Sequence, residues 1–276
     1  METELVIIRT SGDRFVDRSL SEIGGKGLFV KEIEEALLGE TADLAVHSAK
    51  DLPGQLPKGL CISAFPIRAD PRDALVSRDG LGLSELPEGA RIGTSSARRR
   101  EQLLVNRQDI FIEPLRGNVG TRLSKLVEGQ YAALVLACAG LDRLSLSDKI
   151  TERISPNLIL PAAGQGSLAI ETREDDPVSA LVKKLNHEET ALRVIAERAV
   201  LLTLGGDCNV PIGAYSEIHG SRLVLRGLLV NYDERTIIRV TESGNKYDAS
   251  AIGELVGQNL LSQGGREVMS ALRAEK

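Results

Sequence analysis

Tryptophan is absent from this 276-residue chain, and aromatic residues make up only 3% of it. Binding of single-stranded nucleic acid relies on aromatic rings stacked against bases beside a basic groove, and few such rings are available. The net charge of −5 argues the same way. Cysteine is also scarce. Cys61, Cys138 and Cys208 form no C-x-x-C pair and cannot all be joined to one another. That excludes a disulfide-built secreted domain, and reduced thiols fit the cytosol. His47, His187 and His219 lie far apart with no metal-ligand spacing, so no metal site is expected. The longest apolar run, Tyr131 to Leu141, is far short of the ~20 residues of a membrane span. The acidic start Met-Glu-Thr-Glu lacks the basic region of a secretory signal. The expectation is a cytoplasmic protein that binds neither membrane nor nucleic acid.

A hydrophobic content of 42% with 26% charged residues, and no repeat or low-complexity tract, describes a globular chain. Its length exceeds the usual single-domain size of roughly 100 to 150 residues, so two or three domains are expected. Residues 4–8 read as a strand. Gly24-Gly25-Lys26-Gly27 then precedes a helix whose apolar positions 29, 33, 36 and 37 share one face before Gly39 stops it. A second strand, 42–47, runs into Val46-His47-Ser48-Ala49-Lys50-Asp51-Leu52-Pro53, leaving Lys50 and Asp51 where the strand must end. In α/β folds ligands bind beyond the carboxyl ends of strands, although spacing alone also allows a solvated Lys-Asp pair.

After a strand at 60–65, the charged, proline-bounded stretch 66–73 reads as a hinge. A second series follows. Strands at 74–76, 91–94, 110–112 and 132–137 alternate with helices, and Ser95 or Ser96 stands at the N-cap of the helix holding Arg98 and Arg99. Residues 91–122 hold seven arginines, no lysine and three acids. Arg100 and Arg107 read as a solvated helix face. Arg98, Arg99, Arg116 and Arg122 sit at strand exits or helix starts and read as carboxylate or phosphate ligands, since a cluster of like charges costs stability unless an anion arrives. Pro161-Ala-Ala-Gly164-Gln165-Gly166 reads as a second crossing that leads into a strand at 167–171. Two crossings imply a discontinuous first domain, as in two-lobed binding proteins with the ligand between lobes. The expected domains are 1–66 plus 167–185, 72–160 and 188–276. In the third, a helix from Asn186 to Leu204 opens with an Asn-x-x-Glu capping box, and strands at 222–230 and 236–241 precede helices at 249–262 and 265–273.

Cys208 lies in a loop between Gly206 and Gly213. A lone cysteine is more often a small buried hydrophobe, and Asp207 beside it should raise the thiol pKa, which argues against a thiolate that turns over repeatedly. A thiol alkylated once and kept needs no such activation.

Taken in order, Gly24 to Glu32, Val46 to Pro53, Asp70-Pro-Arg-Asp73, Gly93 to Arg99, Leu115 to Leu126, Leu160 to Gly166, Glu189 to Arg193, Glu197-Arg198-Ala199 and Cys208 to Gly213 resemble the porphobilinogen deaminase family across nearly the whole chain. The resemblance implies an α/β fold of three domains, the first two like type II periplasmic binding proteins with a double crossover and the third a small α/β domain. It implies head-to-tail condensation of four porphobilinogen molecules to hydroxymethylbilane with loss of four ammonia, primed by a dipyrromethane cofactor joined through a thioether to Cys208. Asp51 would be the acid/base group. Lys50, Ser95, Ser96, Arg98, Arg99, Arg116 and Gly117 would hold the cofactor, and Lys26, Arg122, Arg143 and Gln165 the substrate. Porphobilinogen is the partner implied, and a monomer is expected.

Two departures accompany the resemblance. Relatives carry an upstream strand, an arginine-bearing Ser-Pro-Leu-Ala loop and a helix, and this sequence begins after them, so weak turnover is expected. Glu22 stands where many relatives have lysine, which should weaken anion binding near Lys26. The competing class is a two-lobed, non-catalytic module for small carboxylates, or an inactive truncated member of the family.

Overall fold

The computed structural model describes residues 3–8, 10, 30–205, 210–231 and 236–274. Lys26 and Cys208 lie outside the described residues. Three separate sheets organise the described residues.

Among the described residues, helix α1, Lys31–Leu38, precedes the strands of the first lobe; it buries Leu37 completely and stops at Gly39. Strand β1, Leu44–Ser48, and strand β2, Leu60–Ala64, follow. They do not pair with each other. Between them lies β8, Leu168–Arg173, antiparallel to both and supplied from far along the sequence. Residues 4–8, expected as a strand, pair with no strand among the described residues, and Leu5 and Ile7 are 86% and 83% exposed. Alternating apolar residues favour a half-buried pleated surface, and without a neighbouring ladder the pattern has nothing to satisfy.

The second lobe is built on β3 (Asp73–Ser77), β4 (Arg91–Gly93), β5 (Phe111–Glu113), β6 (Ala133–Ala137) and β7 (Glu152–Arg153). Their order is β5-β4-β6-β3-β7, with the β5-β4-β6 part parallel and β3 antiparallel to its neighbours. Buried on both faces, β3 and β6 read as continuous apolar runs. Helices α2 (Ala97–Asn106) and α3 (Val119–Val127) connect the parallel strands, and a short helix α4, Cys138–Arg143, leaves β6. Leu75, Ile92, Leu103 and Ile154 fill one face of the sheet, and Leu115, Leu134, Leu136 and Leu141 the other.

After β8, a short helix α5 (Pro177–Val182) leads to α6, Glu188–Leu204, the longest helix described. Its cap differs from the expected Asn-x-x-Glu box. His187 is the N-cap, its Nδ1 accepting from the Thr190 amide, because the Asn186 carbonyl oxygen is already engaged by the Phe65 amide at 2.9 Å. The helix ends at Gly205, whose φ of +62° is the left-handed cap that glycine adopts without a Cβ penalty. The third sheet is an antiparallel meander of β9 (Ile212–His219), β10 (Arg222–Asn231) and β11 (Thr236–Asn245). It packs against α6 and against α7 (Ala249–Leu260), followed by α8 (Arg266–Ala274). Strand β9 was not expected from sequence, since Gly213 and the polar Ser216 and Glu217 interrupt its alternation. No helix among the described residues is long and apolar enough to cross a membrane.

Candidate active site

Strand β1 ends in a single 3-10 turn, Ala49–Asp51. The Ala49 amide bonds to Ser167 O at 3.0 Å, extending the β1–β8 ladder by one residue before the backbone turns away. Asp51 is exposed and Lys50 half-buried, with no hydrogen-bond partner for the Lys50 ammonium among the described residues. Desolvation pushes the Lys50 pKa down. Asp51 and Asp73 partly offset this, while Arg99 and Arg98 add to it. Lys50 therefore lies within electrostatic reach of the second lobe's arginines.

Those arginines are placed by the start of α2. The expected capping serine is present at the N-cap position as Ser96, but its hydroxyl makes no capping bond, and Ser95 Oγ instead exchanges hydrogen bonds with both the N–H and the C=O of Leu115. This fixes the strand exit that carries Arg116 and Gly117. Gly117 has φ +106°, and a Cβ there would lie 2.8 Å from the Thr121 side chain, so the close turn admits no other residue without a shift.

Arg98 and Arg99 are not open to solvent. They are 5% and 7% exposed and converge on Asp73, the first residue of β3, which is completely buried. Arg98 Nη1 donates to Asp73 Oδ2 at 2.9 Å and to Leu160 O at 2.6 Å. Arg99 donates through Nε to Asp73 Oδ1 at 2.9 Å and through Nη1 to Val135 O at 3.1 Å. Gln165 joins them, its Nε2 donating to Asp73 Oδ1 at 3.0 Å and to Pro71 O at 2.7 Å. Desolvation alone would raise the Asp73 pKa, but Arg98 and Arg99 outweigh it and hold the carboxyl well below the usual range. The carboxylate that these two arginines grip here is the chain's own. Arg98 therefore carries part of the fold, since Asp73 and Leu160 O depend on it.

Arg122 donates Nε–H to Gly117 O at 2.7 Å, and its pKa is lowered by desolvation and by Arg99. Arg143 reaches the second crossing, donating to Gly166 O at 2.9 Å. The guanidinium of Arg116 has no hydrogen-bond or ion-pair partner among the described residues. The structure thus gathers Arg98, Arg99 and Gln165 on Asp73, with Lys50 and Arg122 in electrostatic reach of these arginines and Arg143 beside the crossing. Burial disfavours the charged forms of Lys50 and Arg122, a cost that a neighbouring anion would offset, whereas Arg98 already has Asp73 opposite it.

The two crossings are locked together under this cluster. Gly166, at φ +86°, lets the second crossing lie against the first, where a Cβ would meet Ala69 O at 2.7 Å. Gly164, at φ +72°, lies against Ala49 and the Lys50 amide. Glu197 of α6, fully buried, accepts from Arg68 of the first crossing at 2.7 and 3.0 Å, from Gly164 N of the second at 2.8 Å, and from Ser216 N and Oγ of β9. Sequence reading gave Asp73 only a hinge position and Glu197 none. The available signal was a charged residue on a helix face otherwise buried.

Two α/β lobes joined by paired crossings, with Asp51 at one strand exit and buried arginines beside the crossings, define a two-lobed α/β protein. The profile described as "Porphobilinogen deaminase, dipyromethane cofactor binding domain" matches residues 1–180, and that described as "Porphobilinogen deaminase, C-terminal domain" matches residues 191–262. The chain belongs to the porphobilinogen deaminase family, which acts in tetrapyrrole biosynthesis with a dipyrromethane cofactor.

Among solved structures, it is similar to the periplasmic VFT2 domain of Bordetella pertussis BvgS, at 18% identity and a TM-score of 0.34, covering 56% of this chain and 66% of that one. It is also similar to the second substrate-binding domain of a putative amino acid ABC transporter from Streptococcus pneumoniae, at 17% identity and a TM-score of 0.36, covering 57% and 70%. A periplasmic binding protein of high arginine specificity from Salmonella typhimurium matches at 15% identity and a TM-score of 0.32, covering 59% and 72%.

The residues present fit the family's cofactor. Each pyrrole of dipyrromethane carries acetate and propionate groups, and Lys50 and Arg116 offer cationic donors with no protein partner among the described residues.

Proposed function

We propose that this chain is a hydroxymethylbilane synthase, a transferase that condenses four porphobilinogen molecules head to tail with release of four ammonia. The observation that carries the reading is Asp51, an exposed carboxylate at the exit of β1, beside a Lys50 that itself lies within electrostatic reach of Arg98 and Arg99. Dipyrromethane, held by a thioether to Cys208, supplies the free pyrrole carbon at which the chain starts. Lys50, Ser95, Ser96, Arg116 and Gly117 are the groups assigned to hold it, with Arg98 and Arg99 behind them, and Lys26, Arg122, Arg143 and Gln165 are assigned to porphobilinogen.

In each cycle the C–N bond of the aminomethyl group breaks and ammonia leaves with a proton. The free pyrrole carbon at the end of the growing chain then attacks the methylene carbon left behind, forming the C–C bond, and loses its proton. Asp51 serves both transfers. Its carboxylate accepts the pyrrole N–H, stabilises the positive charge that develops as ammonia departs, and exchanges one proton per cycle. Arginines suit the ligand because a planar fork pairs with each carboxylate in two-point contact.

The test is twofold. Intact mass should show two linked pyrrole units on the parent and on Cys61→Ala and Cys138→Ala, and none on Cys208→Ser. Asp51→Asn should keep that mass but lose porphobilinogen consumption. Retention of the adduct by Cys208→Ser, or normal turnover by Asp51→Asn, overturns the assignment of that residue.

A further inference from the structure

The loop that presents Lys50 and Asp51 has little backbone bonding of its own. Beyond Asp51, Leu52 and Pro53 are extended or turning, and Pro53 has no N–H to donate. The carbonyls of Ala49, Leu52, Pro53 and Gly54 all turn toward one guanidinium, that of Arg198 on α6. Its Nη2 donates to Pro53 O at 2.7 Å and Gly54 O at 3.2 Å, while Nη1 lies 3.4 Å from both Ala49 O and Leu52 O. Arg198 is buried, and desolvation lowers its pKa against the opposing influence of Glu171.

The contact is a whole helix face. Val194, four residues before Arg198, packs in one cluster with Ala49 and Leu52. Leu202, four residues after it, lies where a Cβ on Gly54 would come within 3.0 Å. Positions i, i+4 and i+8 of a helix share one side, so Val194, Arg198 and Leu202 form a stripe that fits the loop. Next along the helix, Glu197 ties α6 to both crossings, which fixes the stripe relative to the point where the lobes join.

We infer that Arg198 is a positioning residue for the Lys50–Asp51 loop, holding it through backbone carbonyls while leaving both side chains free. An arginine is required by geometry: five N–H donors in a rigid fork can reach carbonyls from residue 49 to residue 54, whereas an ammonium concentrates its three donors at one point. The inference rests on the reading of Asp51 as the acid/base group.

The experiment compares Arg198→Lys, which keeps the positive charge near Glu171, and Arg198→Met with the parent and with Asp51→Asn, using the full chain as purified. Amide hydrogen exchange is followed in peptides spanning 49–56, α6 and β8, together with kcat and KM for porphobilinogen. Both Arg198 variants should exchange at least 10-fold faster in 49–56, with α6 and β8 unchanged. Turnover should fall by about 100-fold with KM within about twofold, the expected result of displacing an acid/base group by about 1 Å.

Unchanged exchange in 49–56 overturns the inference. So does a rise in KM at constant kcat, which would make Arg198 a binding residue, or equal loss of protection throughout the chain in Arg198→Lys. Asp51→Asn separates the two ideas, because it should exchange like the parent in 49–56 and yet fail to turn over. If Asp51→Asn is fully active, the acid/base assignment fails, and the exchange data still decide whether Arg198 holds the loop.

Discussion

Replacing Asp73 by alanine removes the one carboxylate on which two buried guanidiniums and a buried amide converge. Arg98 loses contacts at 2.9 and 3.3 Å, Arg99 loses contacts at 2.9 and 2.7 Å, and Gln165 loses one at 3.0 Å. Breaking a buried pair by deleting one partner costs about 3 to 5 kcal/mol, because the remaining charge is left uncompensated. Two stranded charges place this case at the upper end, well beyond the ~0 to 1 kcal/mol typical of exposed ion pairs. For a chain of this size the loss corresponds to a fall of roughly 6 to 20 °C in melting temperature.

Unfolding should be followed by both circular dichroism and exchange of the β3 and β6 amides, since three sheets need not unfold together. The pH dependence supplies a second check. The Asp73 pKa is held low in the folded state, so its contribution is present above the unfolded value near 3.9 and is lost as pH falls toward the native one. The gap between parent and Asp73→Ala should be full at pH 7 and narrow below about pH 4. A loss under about 1 kcal/mol at pH 7, or a gap independent of pH, would refute the account of Asp73 as the anchor of both arginines.

Cys138 is buried and its thiol is pushed up to about 12, chiefly by desolvation and then by Asp70, so at pH 8 only about one molecule in ten thousand carries the thiolate. Iodoacetamide should label Cys61, which is half-buried, long before Cys138, as read by peptide mass. Glu34, 8% exposed, keeps one oxygen without a partner, and its pKa is raised by burial and by Glu171 despite His47. A raised carboxyl pKa means that stability declines as pH climbs from the unfolded value through the folded one. Glu34→Gln should therefore melt above the parent at pH 8 and level with it at pH 4 in a thermal scan. Gly166→Ala forces a Cβ to 2.7 Å from Ala69 O at a φ of +86°. That should cost about 2 kcal/mol or more by denaturant titration, whereas Gly80→Ala, with the same sign of φ and open space around it, should cost about 1 kcal/mol.

Strands with strong local signals, β1 to β6, were legible within two residues, as were α6 and α7, because period and stop signals agreed with the packing. The double crossing was legible too, since Pro66 to Asp73 and Pro161 to Gly166 announce themselves by composition. Partnership was not legible. Nothing in Arg98-Arg99 tells whether their anion is a ligand or Asp73, which is 25 and 26 residues away and approaches only when β3 lies beside β6. Residues 4–8 failed for the converse reason: a strand pattern states a preference, and its fulfilment depends on a neighbour. Glu197 and Arg198 were visible as a charged dipeptide inside a helix, but Arg198 donates to backbone carbonyls and Glu197 accepts in part from backbone amides, groups that leave no mark on side-chain identity.

The position of β8 at the centre of the first sheet sets the order in which the molecule can be made. Strands β1 and β2 emerge early and lack a common partner until about 100 further residues have been synthesised, a wait of roughly 5 to 20 s at usual translation rates of about 5 to 20 residues per second. The second lobe, whose five strands all lie within that interval, can close during the wait and deliver β8 afterwards. On the ribosome the early strands wait those seconds for β8, so of the two lobes the first is the later to complete its sheet.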